Sequence, residues 1–292
     1  MAKIAVVGIS GGWSSEKLVE AVEAVTGHHL LVEMKNVRMD LDSGRAFFNG
    51  VDLTTLDAMI IKKVGARYSP DLLDRLELLR YLYERGLKMF SSPLSIMNVL
   101  DRISCTVTLK LAGIPMPETT ITEDVDEALR TVEAYEAAVF KPVFTSKARG
   151  MCVVDAGAGA REKIEAYKQE NPIMYIQKKI HHKGRDLGVT FLGGDYLNTY
   201  ARCNDGNSWN TTTAFGGKYR HYDPPAQVIA MAGKAQALFD LDFTSVDVAE
   251  TDEGPLVFEV SAFGGFRGIR ETTSIDPARR YVDYVLSKLK AV

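Results

Sequence analysis

Hydrophobic positions run in two alternating periods along this chain. Lys3 to Ser10 is an apolar stretch that ends in Gly8-Ile9-Ser10-Gly11-Gly12, and Leu18, Val19, Val22 and Val25 follow at helical spacing. That order predicts a strand, a glycine turn and a helix. A short hairpin is expected from Arg38-Met39-Asp40 to Val51. Leu56 to Ile61 then reads as a buried strand with Lys62 and Lys63 emerging at its end. From Asp71 to Gly86 the leucines at 72, 73, 76, 79 and 82 make one apolar helix face, closed by the glycine and followed by a strand at Leu87 to Phe90. Residues 1–95 are therefore expected to form a small α/β domain.

Beyond Pro93, Ile96, Val99, Leu100, Val107 and Leu111 continue one helical stripe through Asp101-Arg102, until Pro115 and Pro117 force an extended exit. Strands at Thr119 to Ile121, Ala138 to Pro142, Met151 to Val154 and Ile173 to Gln177 alternate with helices at Val125 to Ala134 and Glu162 to Gln169, an α+β unit closing at residue 177. Residues 178–292 add strands near Asp186 to Leu192, Tyr196 to Arg202, Thr244 to Val248 and Leu256 to Val260, a second α+β lobe. The chain shows no internal repeat.

Composition narrows the class without naming a function. At 292 residues, 46% hydrophobic and 25% charged, the chain is long enough for two or three domains with their own cores. A net charge of −3 argues against affinity built on neutralising nucleic-acid phosphates. No apolar run approaches the roughly 20 residues of a membrane span, so the expectation is a cytoplasmic protein with no membrane or nucleic-acid partner. Three cysteines, Cys105, Cys152 and Cys203, fit neither a disulfide framework nor a metal cluster and read as reduced thiols.

The segment from Phe243 to Thr272 carries the strongest chemical signal. Alternation in Thr244 to Val248 and in Pro255 to Val260, around the turn residues Glu253-Gly254-Pro255, predicts a hairpin that brings Asp247 beside Glu259. Two adjacent carboxylates, with Ser261 nearby, suit a magnesium ion that completes its shell with phosphate and water. A hairpin with one acid per strand also occurs as a plain solvated face. The glycine-rich continuation Gly264-Gly265-Phe266-Arg267-Gly268 favours close approach of backbone to a ligand. Lys141, at a strand end, precedes a loop of small and cationic residues, so its ammonium, Ser146, Arg149 and loop N–H groups are candidates to converge on phosphate. Six cationic or titratable side chains crowd Lys178-Lys179-Ile180-His181-His182-Lys183-Gly184-Arg185, where solvated and functional readings weigh equally; adjacent histidines do not suit a zinc site. Arg202 and the polar run Asn210 to Thr213 complete the set. Gly8-x-x-Gly11-Gly12 departs from the dinucleotide fingerprint, and neither a Walker A loop nor a G-x-S-x-G elbow is present.

Taken in order, Asp101-Arg102, GIPMPET, VFKPVFTSKARGM, MYIQKKI, RDLGVTFLGG, TYAR and FTSVDVAETDEGPLVFEVSAFGGFRGI resemble the ATP-grasp ligases over nearly the whole chain. Within them the likeness is to the RimK-like and glutathione-synthetase-like branch, and further to the ATP-grasp member of the GAK system. The resemblance implies the ATP-grasp fold, of mixed α/β and α+β class: an N-terminal pre-ATP-grasp domain at 1–95, a central lobe at 96–177 and a C-terminal lobe at 178–292 that enclose ATP and hold Mg²⁺. It implies that Arg102, Lys141 and the loop Ser146 to Gly150, Arg149 included, meet phosphates. Gln177, Lys178, Lys179 and Ile180 would receive adenine, with Asp186 also on the nucleotide. Arg202 would stabilise the transferring phosphoryl group, beside Lys141, and Asp247, Glu259 and Ser261 would ligate metal. Four positions depart from the family pattern: Ser261 for the usual Asn, Thr145 and Ala148 for loop glycines, Arg102 for lysine, and Gly188 where many relatives place a substrate-binding arginine.

The expected activity is a Mg-dependent carboxylate–amine ligation through an acylphosphate, with a small-molecule or peptide acid and amine as partners. Lys62, Lys63, Arg267 and Arg270 are candidates for holding an anionic substrate. A small-molecule kinase and a degenerate nucleotide sensor are the alternatives, the latter motivated by Ser261 and the glycine-poor loop. Homodimers are common among such relatives.

Overall fold

The computed structural model describes residues 1–181, 183–204, 209–213 and 216–290, so His182 of the cationic run lies outside the described residues. The N-terminal part runs β1 (Ile4–Val7), α1 (Trp13–Thr26), β2 (Leu31–Val32), β3 (Val37–Asp40), β4 (Arg45–Phe48), β5 (Val51–Asp52), β6 (Ala58–Ile61), α2 (Asp71–Glu84) and β7 (Lys88–Phe90). Strands β2-β1-β6-β7 form a parallel sheet, and β3-β4-β5 form a separate antiparallel one. Every residue of β1 and β6 is buried, which is why these strands read as continuous apolar runs rather than alternating ones. The expected hairpin gains a third short strand at Val51–Asp52.

The single helix expected after Pro93 is two. α3 (Pro93–Leu100) stops at Asp101, whose extended backbone (φ −77°, ψ 113°) breaks the helix, and α4 (Arg102–Leu111) starts afresh with Asp101 as its cap, the carboxylate accepting from the Ile103 N–H at 3.0 Å. The break makes Arg102 the first residue of a helix that faces the cleft.

The central lobe follows as β8 (Thr119–Thr122), α5 (Val125–Tyr135), β9 (Ala137–Lys141), β10 (Cys152–Asp155), α6 (Ala160–Glu170) and β11 (Met174–Lys178), an antiparallel sheet in the order β10-β9-β11-β8. The C-terminal part comprises β12 (Arg185–Leu192), β13 (Asp195–Cys203), β14 (Lys218–His221), α7 (Ala226–Gln236), β15 (Phe243–Thr251), β16 (Gly254–Ser261), α8 (Phe266–Thr272) and α9 (Pro277–Lys290). Its sheet runs β14-β13-β12-β15-β16.

Separate cores for each part are not what the packing shows. One cluster joins Ala5, Leu76 and Ile96 to Leu187, Val246 and Val260, and a second joins Ile4 and Leu18 to Phe243, Phe266 and Tyr281, so the N- and C-terminal parts share their interior. The central lobe has a cluster of its own, around Phe140, Val154, Ile164 and Ile176. The functional cleft lies where this independent lobe faces the joined pair. Among the described residues no helix is long and apolar enough to cross a membrane.

Candidate active site

Register places the carboxylates before any side-chain detail is needed. Tyr200 on β13, Gly188 on β12, Asp247 on β15 and Glu259 on β16 are successive partners across the C-terminal sheet, so they share a face. After Asp247 the register shifts, Val248 pairing with Val257, which leaves Phe258 as an extra residue. This bulge turns both Phe258 and Glu259 toward a cleft of about 360 Å³, which Asp247 and Ser261 also line.

Three cations balance the carboxylates. Arg102, almost wholly buried, donates to Glu259 Oε2 at 2.8 Å, to the Pro142 carbonyl at 3.2 Å and to the Thr145 carbonyl at 3.4 Å, tying α4 to the loop after β9. Arg202 is clamped by Asp186 and lies 3.0 Å from Asp247 Oδ2. Burial opposes its charge, but Asp186 and Asp247 together hold its proton more tightly than in a free arginine. Thr211 completes this cluster by donating to Asp186. Lys141 donates to Gln177 Oε1 at 2.5 Å and sits 4.9 Å from the centre of the Phe258 ring. Burial, then the neighbouring Arg102, pulls its ammonium down to about 7, with Glu259 and Asp247 partly offsetting the fall.

Asp247 fits a cation. Its Oδ1 is buried without a partner among the described residues, and burial, countered by Arg202 and reinforced by Glu259 and Asp186, pushes its carboxyl above the usual carboxylate range. A positive ion beside Oδ1 would remove both costs. No group of three or more His, Cys, Asp or Glu among the described residues is arranged to hold a metal alone, so oxygens from a bound phosphate would have to finish the shell.

The loop after β9 turns through Lys147 and Ala148 with φ of 61° and 56°. These are left-handed conformations, which a glycine adopts without strain; they bear on Ala148, whereas Thr145, the other position expected as glycine, has no positive φ. Arg149 folds back on the loop, donating to the Ser146 carbonyl and hydroxyl at 3.1 Å each. Thr145 to Ala148 line the cleft, whereas Arg149 and Gly150 do not. Gln177, Lys178, Lys179 and Ile180 line its other end, with Asn210 to Thr213. Three cations of the run are paired: Lys178 with Glu118 at 2.6 Å, Lys183 with Asp252 at 3.2 Å, Arg185 with Glu250 at 3.0 Å.

Of the four cations expected on the substrate side, the structure brings only Lys63 to the cleft. Lys62 is buried, its ammonium donating to the Phe263 and Gly264 carbonyls at 3.1 and 2.6 Å and resting 3.6 Å from the centre of the Phe266 ring. It joins the first sheet to the segment after β16 and is not placed to meet a ligand. Arg267 stacks on Trp13 at 5.4 Å, and Arg270 is exposed on α8. The glycines after Ser261 correct a further expectation: a Cβ at Gly264 would stand 2.6 Å from the Phe243 ring, and one at Gly268 would stand 2.6 Å from the Tyr200 ring, so both serve packing. Gly188 is bare for the same reason, since a Cβ there would meet the Tyr200 hydroxyl at 2.6 Å. The tyrosine ring fills the space that a longer side chain on β12 would need.

Tyr68, Cys105, Tyr200 and Phe258 line the cleft and were not foreseen. Tyr200 was within reach of period-two reasoning, two residues before Arg202 on the same strand face. Tyr68 lies in the loop at the carboxyl end of β6, where parallel sheets gather ligands. Cys105 carried no signal; burial pushes its thiol up to about 12, which makes it inert packing.

Comparison with known proteins identifies a family and a shared fold. The RimK-like ATP-grasp domain family matches residues 99–285. The tetrahydromethanopterin:alpha-L-glutamate ligase of Methanosarcina acetivorans is 25% identical, the match covering 94% of this chain and 95% of that protein. A probable alpha-L-glutamate ligase of Serratia proteamaculans is 26% identical over 97% of this chain and 95% of its own. Among solved structures, the ATP-grasp ligase PsnB, in complex with a phosphomimetic variant of its minimal precursor, Mg and ADP, superposes with a TM-score of 0.76 at 18% identity, covering 99% of each chain. D-cycloserine synthetase DcsG superposes with a TM-score of 0.74 at 16% identity, over 99% of this chain and 100% of that one. Both share the fold.

Proposed function

This chain belongs to the RimK-like ATP-grasp family, and from that premise we propose that it is an ATP-dependent ligase that joins a carboxylate to an amine through an acylphosphate. The observation that carries the reading is the pairing of Asp247 with Glu259, one oxygen of Asp247 buried and unpartnered, ringed by Arg102, Lys141 and Arg202. Residues 1–95, 96–177 and 178–292 are taken as the N-terminal domain, central lobe and C-terminal lobe, with the nucleotide between the last two.

Adenine would lie against Gln177 to Ile180, and the phosphates would extend along Lys141, Arg102 and the loop Thr145 to Ala148. Asp247 and Glu259, with Ser261 in reach, would hold magnesium, which would supply charge neutralisation for the phosphates. An oxygen of the substrate carboxylate attacks the γ-phosphorus, and the bond to the bridging oxygen breaks with its electron pair leaving on ADP. The amine then attacks the acyl carbon, phosphate departs with the C–O electron pair, and the amine gives up a proton. Arg202 faces the charge that develops during transfer, and its clamp to Asp186 holds the guanidinium in place before substrate arrives, so catalysis rests on positioning and electrostatics. Arg102 now donates through Nη1 to Glu259, so on nucleotide binding it would share its donors between that carboxylate and phosphate or turn from one to the other. The amine proposed for first trial is L-glutamate, because the two curated relatives described above are named as glutamate ligases.

Hydroxylamine in place of the amine should trap the acylphosphate, giving a hydroxamate and ADP release that depends on both the acid and magnesium. Glu259→Ala should remove magnesium-dependent binding of a non-hydrolysable ATP analogue. A stable phosphorylated product with no hydroxamate would make the protein a kinase, and binding without turnover across acids and amines would make it a sensor.

A further inference from the structure

Lys63 is a cation that the cleft surrounds without neutralising. The N–H groups of Lys62 and Lys63 both donate to the Val7 carbonyl, at 2.9 and 3.1 Å, an irregularity at the end of the sheet that sends the two side chains in different directions. The Lys62 ammonium finds two carbonyls; the Lys63 ammonium finds two rings, lying 5.3 Å from the centre of Phe263 and 6.0 Å from that of Tyr68. Among the described residues no carboxylate stands within 4.0 Å of it and no acceptor hydrogen-bonds to it.

The nearest charges make its position worse. Burial and then Lys147 and Arg149, both from the loop after β9, pull the Lys63 ammonium down to about 8. Neither loop cation is paired with an acid among the described residues: Arg149 spends its donors on Ser146. Lys63 and Lys147 thus line one cleft from the N-terminal domain and the central lobe, neither paired with an acid among the described residues, with two aromatic rings beside Lys63. Ring faces stabilise a cation only modestly and do not cancel repulsion from like charges. An oxyanion between Lys63 and the loop would.

We infer that Lys63, with Lys147 of the loop after β9, forms an oxyanion site that holds the phosphoryl group while it is transferred, first as the γ-phosphate and last as departing phosphate. The inference rests on the ATP-dependent reading above and deepens it. It also gives the N-terminal domain a direct part in phosphoryl transfer, since Lys63 lies just beyond β6 of the first sheet while Lys141 and Arg102 serve the phosphates nearer adenine.

The test is calorimetric titration of wild type, Lys63→Met and Lys63→Arg with Mg–ADP and with Mg–AMPPNP, followed by titration of each Mg–ADP-loaded protein with orthophosphate. Lys63→Met should bind Mg–ADP within about twofold of wild type, yet bind Mg–AMPPNP at least about tenfold more weakly and lose orthophosphate affinity to the same degree; Lys63→Arg should recover most of both. Unchanged Mg–ADP binding doubles as proof of folding. Equal weakening of both nucleotides, or no effect on either, overturns the assignment, the second result leaving Lys63 to the carboxylate substrate. If wild type binds neither nucleotide, the ATP-dependent reading itself falls, and the inference falls with it.

Discussion

Lys141 enters the cleft carrying a proton that the free protein holds weakly. Its ammonium is pulled to about 7, by burial first and Arg102 second, against an ordinary value of 10.5. The unfolded chain therefore binds more protons than the folded one between about 7 and 10.5, so this group makes folding less stable as pH falls through that window, with the full penalty in place below about 7. A triphosphate reverses the preference by supplying negative charge. Nucleotide binding at pH 8 should then take up protons, to which Lys141 contributes up to about one, and affinity should fall as pH rises above about 7. Titrations in buffers of different ionisation enthalpy measure the uptake directly. Lys141→Arg, whose guanidinium never deprotonates in this range, should lose that share while keeping the charge. Undiminished uptake in the arginine variant would show that Lys141 is already charged in the free protein.

At the scale of elements, the break between α3 and α4 is what aims Arg102. Asp101 ends one helix and caps the next, and its removal frees the Ile103 N–H in the turn that carries the arginine. Asp101→Ala should cost about 1 kcal/mol of stability, read from the denaturant midpoint, and should weaken nucleotide binding by loosening Arg102; Asp101→Asn, which still caps, should restore both. An alanine variant with full nucleotide affinity would show that packing around α4, not the cap, positions Arg102. The break is not legible in the sequence, because the apolar spacing runs unbroken from Ile96 to Leu111. The hairpin is legible, since alternation on both strands fixes which residues share a face and a single turn fixes the pairing of Asp247 with Glu259. The bulge at Phe258 leaves no such trace, as either neighbour reads as well-patterned. Lys62 and Lys63 show the same limit more sharply: two adjacent lysines at a strand end look alike, and only the carbonyls of Phe263 and Gly264, some two hundred residues away in the chain, separate them. Long-range packing likewise decides Gly188 and Gly268, whose common cause is the ring of Tyr200.

At the scale of the whole molecule, two of the three parts stand or fall together. Leu76 and Ile4 lie in the N-terminal part yet share clusters with Val246 and Phe243, so loss of either core exposes surface on both sides. Residues 119–178 bury Phe140, Val154, Ile164 and Ile176 among themselves, while α3 and α4, though inside the 96–177 span, pack into the shared cluster through Ile96, Cys105 and Leu109; α4 meets the lobe through polar contacts such as Arg102 with the Pro142 and Thr145 carbonyls and Thr106 with Tyr175. Phe140 is fully buried, its ring 5.2 Å from that of Tyr167 in an edge-to-face pair. Phe140→Ala should remove about 3–5 kcal/mol from this one small core, enough to open it locally while the shared cores remain closed. Hydrogen exchange followed by mass spectrometry should then show peptides from 119–178 losing protection, those from β1, β6, β12 and β15 keeping it, and nucleotide binding falling because Lys141 ends the damaged strand. Leu76→Ala should do the opposite, lowering protection in the N- and C-terminal parts together. Uniform loss across all three parts in the Phe140 variant would mean that the cleft is spanned by a single cooperative unit, and that closure on a nucleotide would have to come from loops rather than from the lobe as a body.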